Sequence, residues 1–357
     1  MKNNVFIIIV NWNGKQYLDD CLSSLEDQTY KFFKTIIIDN NSSDDSVEFI
    51  KKKFIQIKII QNTQNFGFAQ GNNIGIKYAL QNNADIIILL NNDTIVDKNW
   101  LQEMINTANS NKKIGLVQAK IFIDNKDKKH IINTVGNNIH YLGFGYCGHY
   151  KEIDNGQFSK DTEITYAIGA SLLIKKKVLY SIGMLDEKFF LYHEDLDLGW
   201  RARLFGFNIY LSNKAIVWHK YSFSKNKKKI YYLERNRLFF LLQNFELRTL
   251  CLILPAFLFI EIGLLFYSLL NGWFLLKLKS YIDVIKKIKI VIIHRKHIQK
   301  NRIVKDKELI KYLTDQIIFE DINSIILNKI INPLFKLYFI ILKIIFNNQI
   351  HRGKKII

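Results

Sequence analysis

The first two thirds of this chain predict an α/β fold with a mostly parallel sheet flanked by helices, and the last third predicts a helical tail. From residue 5 to about residue 121, short runs rich in β-branched residues alternate with amphipathic segments, a pattern typical of strands covered on both faces. After residue 240 the alternation stops and the chain becomes basic and apolar. The predicted strands are Val5–Val10, Thr35–Ile38, Ile57–Ile60, Ile86–Leu90 and Gly115–Ala119.

The net charge of +19 is concentrated in the tail. Residues 1–220 hold 26 Lys and Arg against 23 Asp and Glu, whereas residues 221–357 hold 25 against 9. Positive charge next to apolar stretches is typical of segments that bind an anionic membrane surface, and we expect no nucleic acid partner. We therefore predict an α/β catalytic domain over residues 1–240 and a membrane-association region over residues 241–357.

Two apolar stretches of the tail predict contact with a membrane. Leu250–Leu276 is long enough to span a bilayer, but Glu261 within it would need a partner or a polar face. A spanning helix and a hairpin lying half in the leaflet both remain open. The second stretch, Ile330–Phe346, indicates an interfacial helix, the alternative being an amphipathic helix that faces a protein core. Lysines spaced seven residues apart share one face of this helix: Lys329, Lys336 and Lys343.

Cysteine usage and the N-terminus indicate the compartment. Cys21, Cys147 and Cys251 lie far apart, and their odd number and spacing predict neither a disulfide framework nor a zinc site. The apolar run Val5–Val10 is too short for a signal peptide. We expect a reduced protein at the cytoplasmic face of the cell membrane.

Polar residues follow three predicted strands at the point where each strand ends, in the segments Asn11–Gly14, Asp39–Asp44 and Asn91–Asp93. The carboxyl ends of parallel strands meet at one edge of a sheet, where open α/β sheets bind ligands. Asn, Asp, Ser and Gly are also ordinary turn and cap residues, so one such segment alone would indicate little. Three together favour a ligand site.

A second acidic cluster begins at His193. Glu194 and Asp195 precede a stretch with helical apolar spacing, so both carboxylates are predicted in the first turn of a helix. The helix dipole there favours the ionised form of each group, whereas the neighbouring carboxylate opposes it. For Asp195 an N-cap is the alternative role.

A glycine-bearing segment gives no support to two other nucleotide-binding folds, the Rossmann fold and the P-loop fold. Gly67, Gly71 and Gly75 are spaced by four residues and form neither a GxGxxG fingerprint nor a Walker motif. Downstream, Thr162–Ile174 is interpreted as one strand interrupted by Gly169, Ala170 and Ser171, small residues that let another molecule approach the backbone.

Taken in order, these motifs resemble the family 2 inverting glycosyltransferases of the GT-A fold, especially the rhamnosyltransferase-like branch. The resemblance covers residues 4–240. It is carried by the segments Val5–Asn13, Asp39–Asp44, Asn65–Gly75, Leu89–Thr94, Gly169–Ala170 and His193–Arg201.

The resemblance implies roles for individual residues. Asp39 matches the position that contacts the nucleotide base, with Asn11 and Asn65 nearby. The wider set implied for the nucleotide sugar is Val10, Asn11, Asn13, Asp39, Asn65, Gly71, Asn91, Asn92 and Asp93. The set implied for the vicinity of the acceptor or diphosphate is Gly169, Ala170, Glu194, Trp200 and Arg201.

The resemblance also implies a metal and a base. Asp93 matches the last Asp of the family's DxD motif, which binds Mg²⁺ or Mn²⁺ on the donor diphosphate, but Asn91 replaces the first Asp. His219 resembles the late histidine that completes this site, although a hydrogen-bonded structural histidine is the alternative. Asp195 matches the general base. Inverting transfer needs a carboxylate to take the acceptor's proton and an electrophile to hold the departing diphosphate, so these residue types suit the reaction.

We therefore expect a metal-dependent inverting glycosyltransferase that uses a UDP- or dTDP-linked sugar, with rhamnose as one candidate, and extends a glycan on a polyprenyl carrier for the cell surface. A processive polysaccharide synthase is the nearest alternative, but it would carry a Gln-x-x-Arg-Trp motif that this sequence lacks. A sugar nucleotidyltransferase would need a glycine-rich, arginine-bearing loop near the N-terminus. A glycosidase would need two carboxyl groups flanking the bond. A non-enzymatic basic membrane-binding protein is the remaining alternative.

Overall fold

The computed structural model describes residues 3–124, 130–220, 227–318 and 325–353. The chain divides into two compact units. The first unit comprises residues 1–137 and 147–223, and the second comprises residues 138–146 and 224–357. Each unit is thus made of two stretches of the chain, whereas the sequence analysis predicted a single boundary at residue 240.

A mostly parallel sheet forms the centre of the first unit, as predicted. Its strands are β1 (Val5–Asn11), β2 (Phe33–Asp39), β3 (Lys58–Gln61), β4 (Ile86–Leu90), β5 (Thr94–Val96), β6 (Ile114–Ile123), β7 (Ile132–Thr134), β10 (Thr162–Glu163), β11 (Ser171–Lys175) and β12 (Asn208–His219). The order across the sheet is β10-β12-β6-β11-β4-β1-β2-β3, with β5 on β12 and β7 on β6. Along this path β10 and β11 run antiparallel to their neighbours, and the other strands are parallel.

Helices cover both faces of this sheet because side chains alternate along the strands. Helices α1 (Lys15–Glu26), α2 (Ser46–Lys53) and α4 (Trp100–Ser110) pack on one face, and α3 (Gly67–Gln81), α5 (Lys176–Ile182) and α6 (Glu194–Leu204) pack on the other. In β1, Val5, Ile7 and Ile9 join the first core and Phe6 and Ile8 join the second. The five strands predicted between residues 5 and 121 are confirmed as β1, β2, β3, β4 and β6.

The prediction of one interrupted strand over Thr162–Ile174 is wrong. This segment forms β10 and β11, which pair with different strands: β10 with β12, and β11 with β4 and β6. The chain between them does not join the sheet, because its backbone groups make other hydrogen bonds. The Gly169 N–H donates to Asp195, and the Ala170 carbonyl accepts from Asn91 N–H.

The second unit is mainly helical. Its helices are α7 (Lys227–Asn244), α8 (Leu247–Leu270), α9 (Phe274–Lys286), α10 (Ile288–Asn301), α11 (Asp306–Leu309) and α12 (Asn332–Gly353), and a small sheet joins β8 (Asn137–His140), β9 (Gly145–Cys147) and β13 (Leu313–Thr314). The stretch predicted as Leu250–Leu276 is two helices, because Gly272 adopts a left-handed φ of 70° and ends α8. In the described part of the chain, α8 is the one helix whose length and composition would allow it to cross a membrane, a test that soluble core helices also pass.

Four buried charges connect three helices of the second unit. Arg237 of α7 lies between Glu234 of α7, at 3.1 Å, and Glu261 of α8. Lys277 of α9 pairs with Glu261 at 2.8 Å and also with Glu234. Burial alone would raise the pKa of Glu261, but Arg237 and Lys277 lower it to about 2. The sequence predicted that Glu261 would need a partner within an apolar helix. That partner is the buried charge network of Glu234, Arg237, Glu261 and Lys277, whose two cations and two carboxylates leave no net charge.

We predict that Lys277→Gln destabilises the packing of α7, α8 and α9, whereas Lys286→Gln on the same helix does not. Lys277 is fully buried in the network, so its removal leaves an uncompensated buried negative charge, which costs about 3–5 kcal/mol. Lys286 is exposed. Hydrogen exchange of peptides from these helices, read by mass spectrometry, measures the free energy of opening. Equal exchange in the two variants would contradict the structural role of the network.

Candidate active site

The ends of β1, β2 and β4 are joined by the amide of Asn11. The sheet register places Asn11 opposite Asp39. Asn11 Nδ2 donates to Asp39 Oδ1 at 3.1 Å, and Asn11 Oδ1 accepts from Asn92 Nδ2 at 2.8 Å. Three polar segments that are far apart in the sequence thus meet at one edge of the sheet, and Asn11 and Asp39 are buried beneath them.

The loop after β2 closes over Asp39. Ser42 N donates to Asp39 Oδ2 at 3.0 Å, and Ser42 Oγ donates to Asp39 Oδ1 at 2.6 Å. Asn13, with a left-handed φ of 51°, accepts from Ser43 N at 2.8 Å. The carboxylate of Asp39 is therefore already engaged by the protein and holds the loops in place, whereas Asn13 is exposed at the rim.

The start of α3 forms another wall of this edge. Asn65 Oδ1 accepts from Gly67 N at 2.8 Å and from Asn40 Nδ2 at 3.3 Å. A Cβ on Gly71 would lie 3.1 Å from Val10, closer than side chains normally pack, so the glycine lets α3 approach β1. Val10 and Asn65 remain partly exposed beside these contacts.

Asp93 and His219 form a polar pair at the end of β4. β5 pairs with β12 so that His219 lies opposite Thr94, and His219 Nε2 is 3.1 Å from Asp93 Oδ1. The Asn91 amide nitrogen is 3.5 Å from the same ring nitrogen. Burial opposes ionisation of Asp93, but the hydrogen bond and charge of His219 outweigh it and lower the pKa of Asp93. Asp93 is therefore a carboxylate at neutral pH.

The surroundings of His219 fit a cation. Its Nδ1 is 3.2 Å from Asn133 Oδ1, and its Nε2 faces the Asp93 carboxylate and the Asn91 amide nitrogen. Nε2 and Asp93 would hold the cation, and Asn133 would orient the ring. Among the described residues, no group of three or more His, Cys, Asp and Glu side chains could hold a metal. A metal here would thus take most of its ligands from water or a bound phosphate, as Mg²⁺ commonly does.

Two adjacent carboxyl groups at the start of α6 have different surroundings. Asp195 is partly exposed, its Oδ2 accepts from Gly169 N at 3.1 Å, and its Oδ1 accepts from Leu196 N at 2.7 Å. Burial nevertheless raises the pKa of Asp195 above its ordinary value. Glu194 is buried, and its Oε2 has no hydrogen-bond partner among the described residues. Burial, and then the charge of Asp195, raise the pKa of Glu194 well above 4.5.

A short chain of contacts links the Asp195 site to the Asp93 site. Gly169 contacts Asp195, and the next residue, Ala170, accepts a hydrogen bond from Asn91 N at 3.1 Å. Asn91 in turn reaches His219. A Cβ on Gly169 would lie 2.6 Å from the Phe68 ring, so a larger residue there would force the ring to shift. The sequence-predicted residues Gly169, Ala170, Asn91, Asp93, His219 and Asp195 therefore lie in one connected region.

Trp200 and Arg201 are not brought to the open part of this region. Trp200 is 1% exposed. The Arg201 guanidinium donates to Asp197 at 2.7 Å and to the carbonyls of Ile182 and Met184 at 2.7 and 2.9 Å. These residues lie at least one helical turn beyond Asp195 and fix α6 to its surroundings, which is a structural task.

Phe190 is a residue that sequence reasoning missed. Its φ of 64° is uncommon for a side chain of this size, and a hydrogen bond from Leu191 N to Phe189 O closes a γ-turn around it. The Phe190 carbonyl accepts from Phe68 N and Ala69 N in the first turn of α3. The loop leading to Asp195 is thereby anchored to the helix that follows Asn65. Ser42 and Asn133 were also missed, because side chains that orient other side chains leave no spacing signal.

Comparison with known proteins identifies the class. Residues 6–183 match the family model described as glycosyl transferase family 2, and the chain belongs to this family.

Three curated relatives illustrate the range of the family. The chain is 25% identical over 210 residues to the low-salt glycan biosynthesis hexosyltransferase Agl10 of Haloferax volcanii, 27% over 214 residues to the dTDP-rhamnosyl transferase RfbF of Shigella flexneri, and 28% over 216 residues to the poly-beta-1,6-N-acetyl-D-glucosamine synthase of Staphylococcus epidermidis. These matches cover 58%, 58% and 60% of the chain. They span 64%, 66% and 49% of the relatives, so the chain covers less than two thirds of each relative's length.

A solved structure confirms the predicted fold. The crystal structure of GalNAc-T7 with UDP, GalNAc and Mn²⁺ superposes with a TM-score of 0.54 at 15% identity, covering 67% of this chain and 47% of that one. At this identity the likeness concerns the fold alone, which is GT-A-like: a mostly parallel sheet flanked by helices.

We predict that Glu194→Gln changes how stability depends on pH. In the unfolded chain Glu194 ionises near 4.5, whereas in the folded protein its pKa is raised. Between these two pKa values unfolding releases a proton, so the free energy of unfolding of the wild type falls as pH rises through this window. Glutamine cannot ionise, so the variant should lose less stability over the same range. The measurement is chemical denaturation from pH 4 to 9, with Glu48→Gln, at an exposed glutamate, as the control. Parallel profiles for Glu194→Gln and wild type would contradict the buried, protonated Glu194.

Proposed function

We propose that this protein is an inverting glycosyltransferase that moves a sugar from a nucleotide-diphosphate donor to a glycan acceptor, with Asp195 as general base. The observation that carries the proposal is the linked pair of sites: a partly exposed carboxylate with a raised pKa at Asp195, and the Asp93–His219 pair, joined through Gly169, Ala170 and Asn91. The family membership supports it.

The surroundings of Asp195 suit proton abstraction. Two backbone N–H groups fix the carboxylate, and its raised pKa brings it closer to the pH at which a base works most effectively. In the proposed reaction Asp195 takes the proton of the acceptor hydroxyl as the oxygen attacks the anomeric carbon. The bond from that carbon to the diphosphate then breaks on the opposite face, which inverts the anomeric configuration. The pKa of Glu194 next to it is raised by burial, which makes Glu194 the weaker candidate for the ionised base.

Asp93 and His219 would hold a Mg²⁺ or Mn²⁺ ion. When bound, the cation would neutralise charge that develops on the departing diphosphate. Replacement of the first acidic position of the motif by Asn91 leaves one protein carboxylate, so much of the cation's coordination would come from the donor itself. Metal affinity should therefore depend on whether the nucleotide sugar is present.

The edge formed by Asn11, Asp39, Asn65 and Gly71 would bind the nucleotide. A UDP- or dTDP-linked donor is consistent with the polar groups along this edge, and the relative named dTDP-rhamnosyl transferase favours testing dTDP-rhamnose. The relative named as a polysaccharide synthase supports a second candidate, repeated addition of one sugar. The length of the product separates the two candidates. A single transfer adds one sugar to each acceptor, which is the result we expect, whereas a synthase would add many.

A lipid-linked acceptor at the cytoplasmic face of the membrane would explain the composition of the second unit. Many large apolar side chains are exposed on its helices, among them Phe266, Leu270 and Leu275. Its sequence is also the basic part of the chain. A polyprenyl-linked glycan presents its sugar at the membrane surface, where this unit would hold the enzyme.

We predict that Asp195→Asn lowers transfer at least about a hundredfold while donor binding changes little, because only the transition state needs the proton acceptor. Glu194→Gln should stay within about threefold of wild type, because glutamine resembles the neutral acid. The assay screens purified protein with Mn²⁺ against UDP-, GDP- and dTDP-sugars for donor turnover, with donor binding measured by calorimetry. More than a tenth of wild-type turnover in Asp195→Asn would refute the base.

We predict that Asp93→Ala weakens binding of both Mn²⁺ and the nucleotide sugar, and that excess Mn²⁺ partly rescues His219→Ala but not Asp93→Ala. A carboxylate cancels part of the cation's charge, whereas a neutral imidazole only completes its shell. Calorimetric titration of metal with and without donor measures this. Full turnover by the wild type in excess EDTA would reject the metal.

We predict that changing Lys329, Lys336 and Lys343 together to Glu weakens binding to anionic liposomes and hardly affects binding to neutral ones. All three lysines are exposed, and each basic residue near an anionic surface is worth about 1 kcal/mol. The control makes the same change in charge in the first unit, at the exposed Lys51, Lys52 and Lys58. Co-sedimentation at low and high salt is the measurement. Equal losses of liposome binding in the two variants would show that membrane binding depends only on the net charge of the protein and not on the lysines of the tail.

A further inference from the structure

Helix α8 of the second unit has two distinct faces that run along its length, called here its buried half and its exposed half. Six residues on one half are buried: Thr249, Ile253, Ala256, Ile260, Glu261 and Ser268. The other half is apolar and exposed, with exposed fractions from 48% to 66% at Leu254, Leu258, Ile262 and Phe266. Between Arg248 and the end of the helix, Glu261 is the only charged residue, and it belongs to the buried half.

Helix α12 extends this exposed surface. Tyr338 Oη of α12 donates to the Leu252 carbonyl of α8 at 2.6 Å, and the Phe335 and Phe259 rings meet edge to face at 6.1 Å. The two helices therefore lie side by side and antiparallel. The exposed apolar residues of α12 are Leu334, Leu337, Ile340, Ile341 and Ile344. A contiguous apolar surface of this kind marks an interaction site.

Lipid fits this surface better than a second copy of the chain. Lys336 and Lys343 are exposed on α12 among its apolar residues, and the tail that contains both helices is strongly basic. Two copies meeting through this surface would bring like charges together. An anionic leaflet supplies opposite charge around an apolar interior, which complements both features.

The buried charge network restricts the orientations that α8 can take in a membrane. Glu261 is the fifteenth of the 24 residues of α8, so in a spanning helix it would lie near the middle of the hydrocarbon layer. Its partners Arg237 and Lys277 belong to α7 and α9, and these helices would have to enter the hydrocarbon with it.

Neither partner helix suits that position. Helix α9 has 13 residues, about 20 Å, which is too short to cross a layer about 30 Å thick. It carries Lys277, Lys279, Asp283 and Lys286. Helix α7 carries Glu234, Arg235 and Arg237 and buries Asn236 and Gln243. Charged residues at mid-bilayer are costly even when they are paired.

We propose that α8 does not span the membrane: it lies in the plane of one leaflet beside α12, with its exposed half in lipid and its buried half held by the charges of α7 and α9. The second unit is then a one-leaflet docking module for anionic membrane. This inference rests on the membrane attachment proposed above and adds its geometry.

Cysteine accessibility tests the geometry. The full chain, with Cys147 and Cys251 changed to Ser, receives one new cysteine at either end of α8, as Arg248→Cys or Asn271→Cys, both at exposed positions. Cys21 is buried and is retained. A membrane-impermeant maleimide is applied to inverted and right-side-out vesicles from cells that express each variant.

An in-plane helix predicts that both cysteines are labelled in inverted vesicles, to within about twofold of each other, and that neither is labelled in intact right-side-out vesicles. Labelling of the two ends from opposite sides would overturn the inference, and so would protection of either end in inverted vesicles. If the protein stays in the soluble fraction, the membrane attachment itself has failed. Donor turnover by the same vesicles shows separately whether the enzyme is active.

A second experiment tests the lipid-facing half. Leu258, Ile262 and Phe266 are changed together to Gln, and Ile55→Gln, at an 83% exposed position in the first unit, is the control. The triple variant should lose at least about tenfold in binding to vesicles with a third anionic lipid, because three exposed apolar side chains that would enter the lipid are replaced by polar ones. The control should not change. Unchanged vesicle binding by a triple variant that instead loses self-association would assign the surface to a second copy and overturn the proposal.

Discussion

The hydrogen bonds of the Asn11 amide hold together the edge on which the site depends. Asn11 donates to Asp39 at the end of β2 and accepts from Asn92 after β4, so one buried side chain fixes the separation of three loops. A buried amide is costly unless its donors and acceptors are satisfied, which makes the arrangement specific. Two glycines then let the backbone come close to this edge at two further places. Gly71 lies against Val10, and Gly169 lies against Phe68.

Two adjacent carboxyl groups show how placement divides roles between similar residues. Glu194 and Asp195 share the first turn of α6, but only Asp195 is partly exposed and bonded to the backbone N–H groups of Gly169 and Leu196. Glu194 is buried, and its pKa is raised by burial and by its neighbour. Of the two groups, the more solvated Asp195 is better placed to carry a negative charge. This difference in surroundings favours the ionised form at the proposed base.

Sequence periodicity predicted the parallel core well because each of its strands is an apolar run ending in polar residues. It failed at Thr162–Ile174, where β10 and β11 pair with different strands, a tertiary choice that no local pattern encodes. It left Leu250–Leu276 open between one spanning helix and a hairpin, because the Asn271–Gly272 break that separates α8 from α9 lies within an apolar stretch. Carboxylates, amides and histidine in the site could be recognised from the sequence because their residue types suit binding and catalysis. Phe190, Ser42 and Asn133 could not be recognised, because they act by orienting other groups. Trp200 and Arg201 were included because they belong to a motif of the family resemblance, and the helix carries them away from the open region.

The central claim is that Asp195 serves as base in a direct displacement on a nucleotide sugar, and the stereochemistry of the product tests it most directly. Once a donor and a lipid-linked or soluble acceptor have been found, proton NMR of the glycoside formed in the first turnovers gives the anomeric configuration at the transferred sugar. A single displacement predicts a product of opposite configuration to the donor. Retention of configuration would contradict the account, because it requires two displacements or a different face of attack.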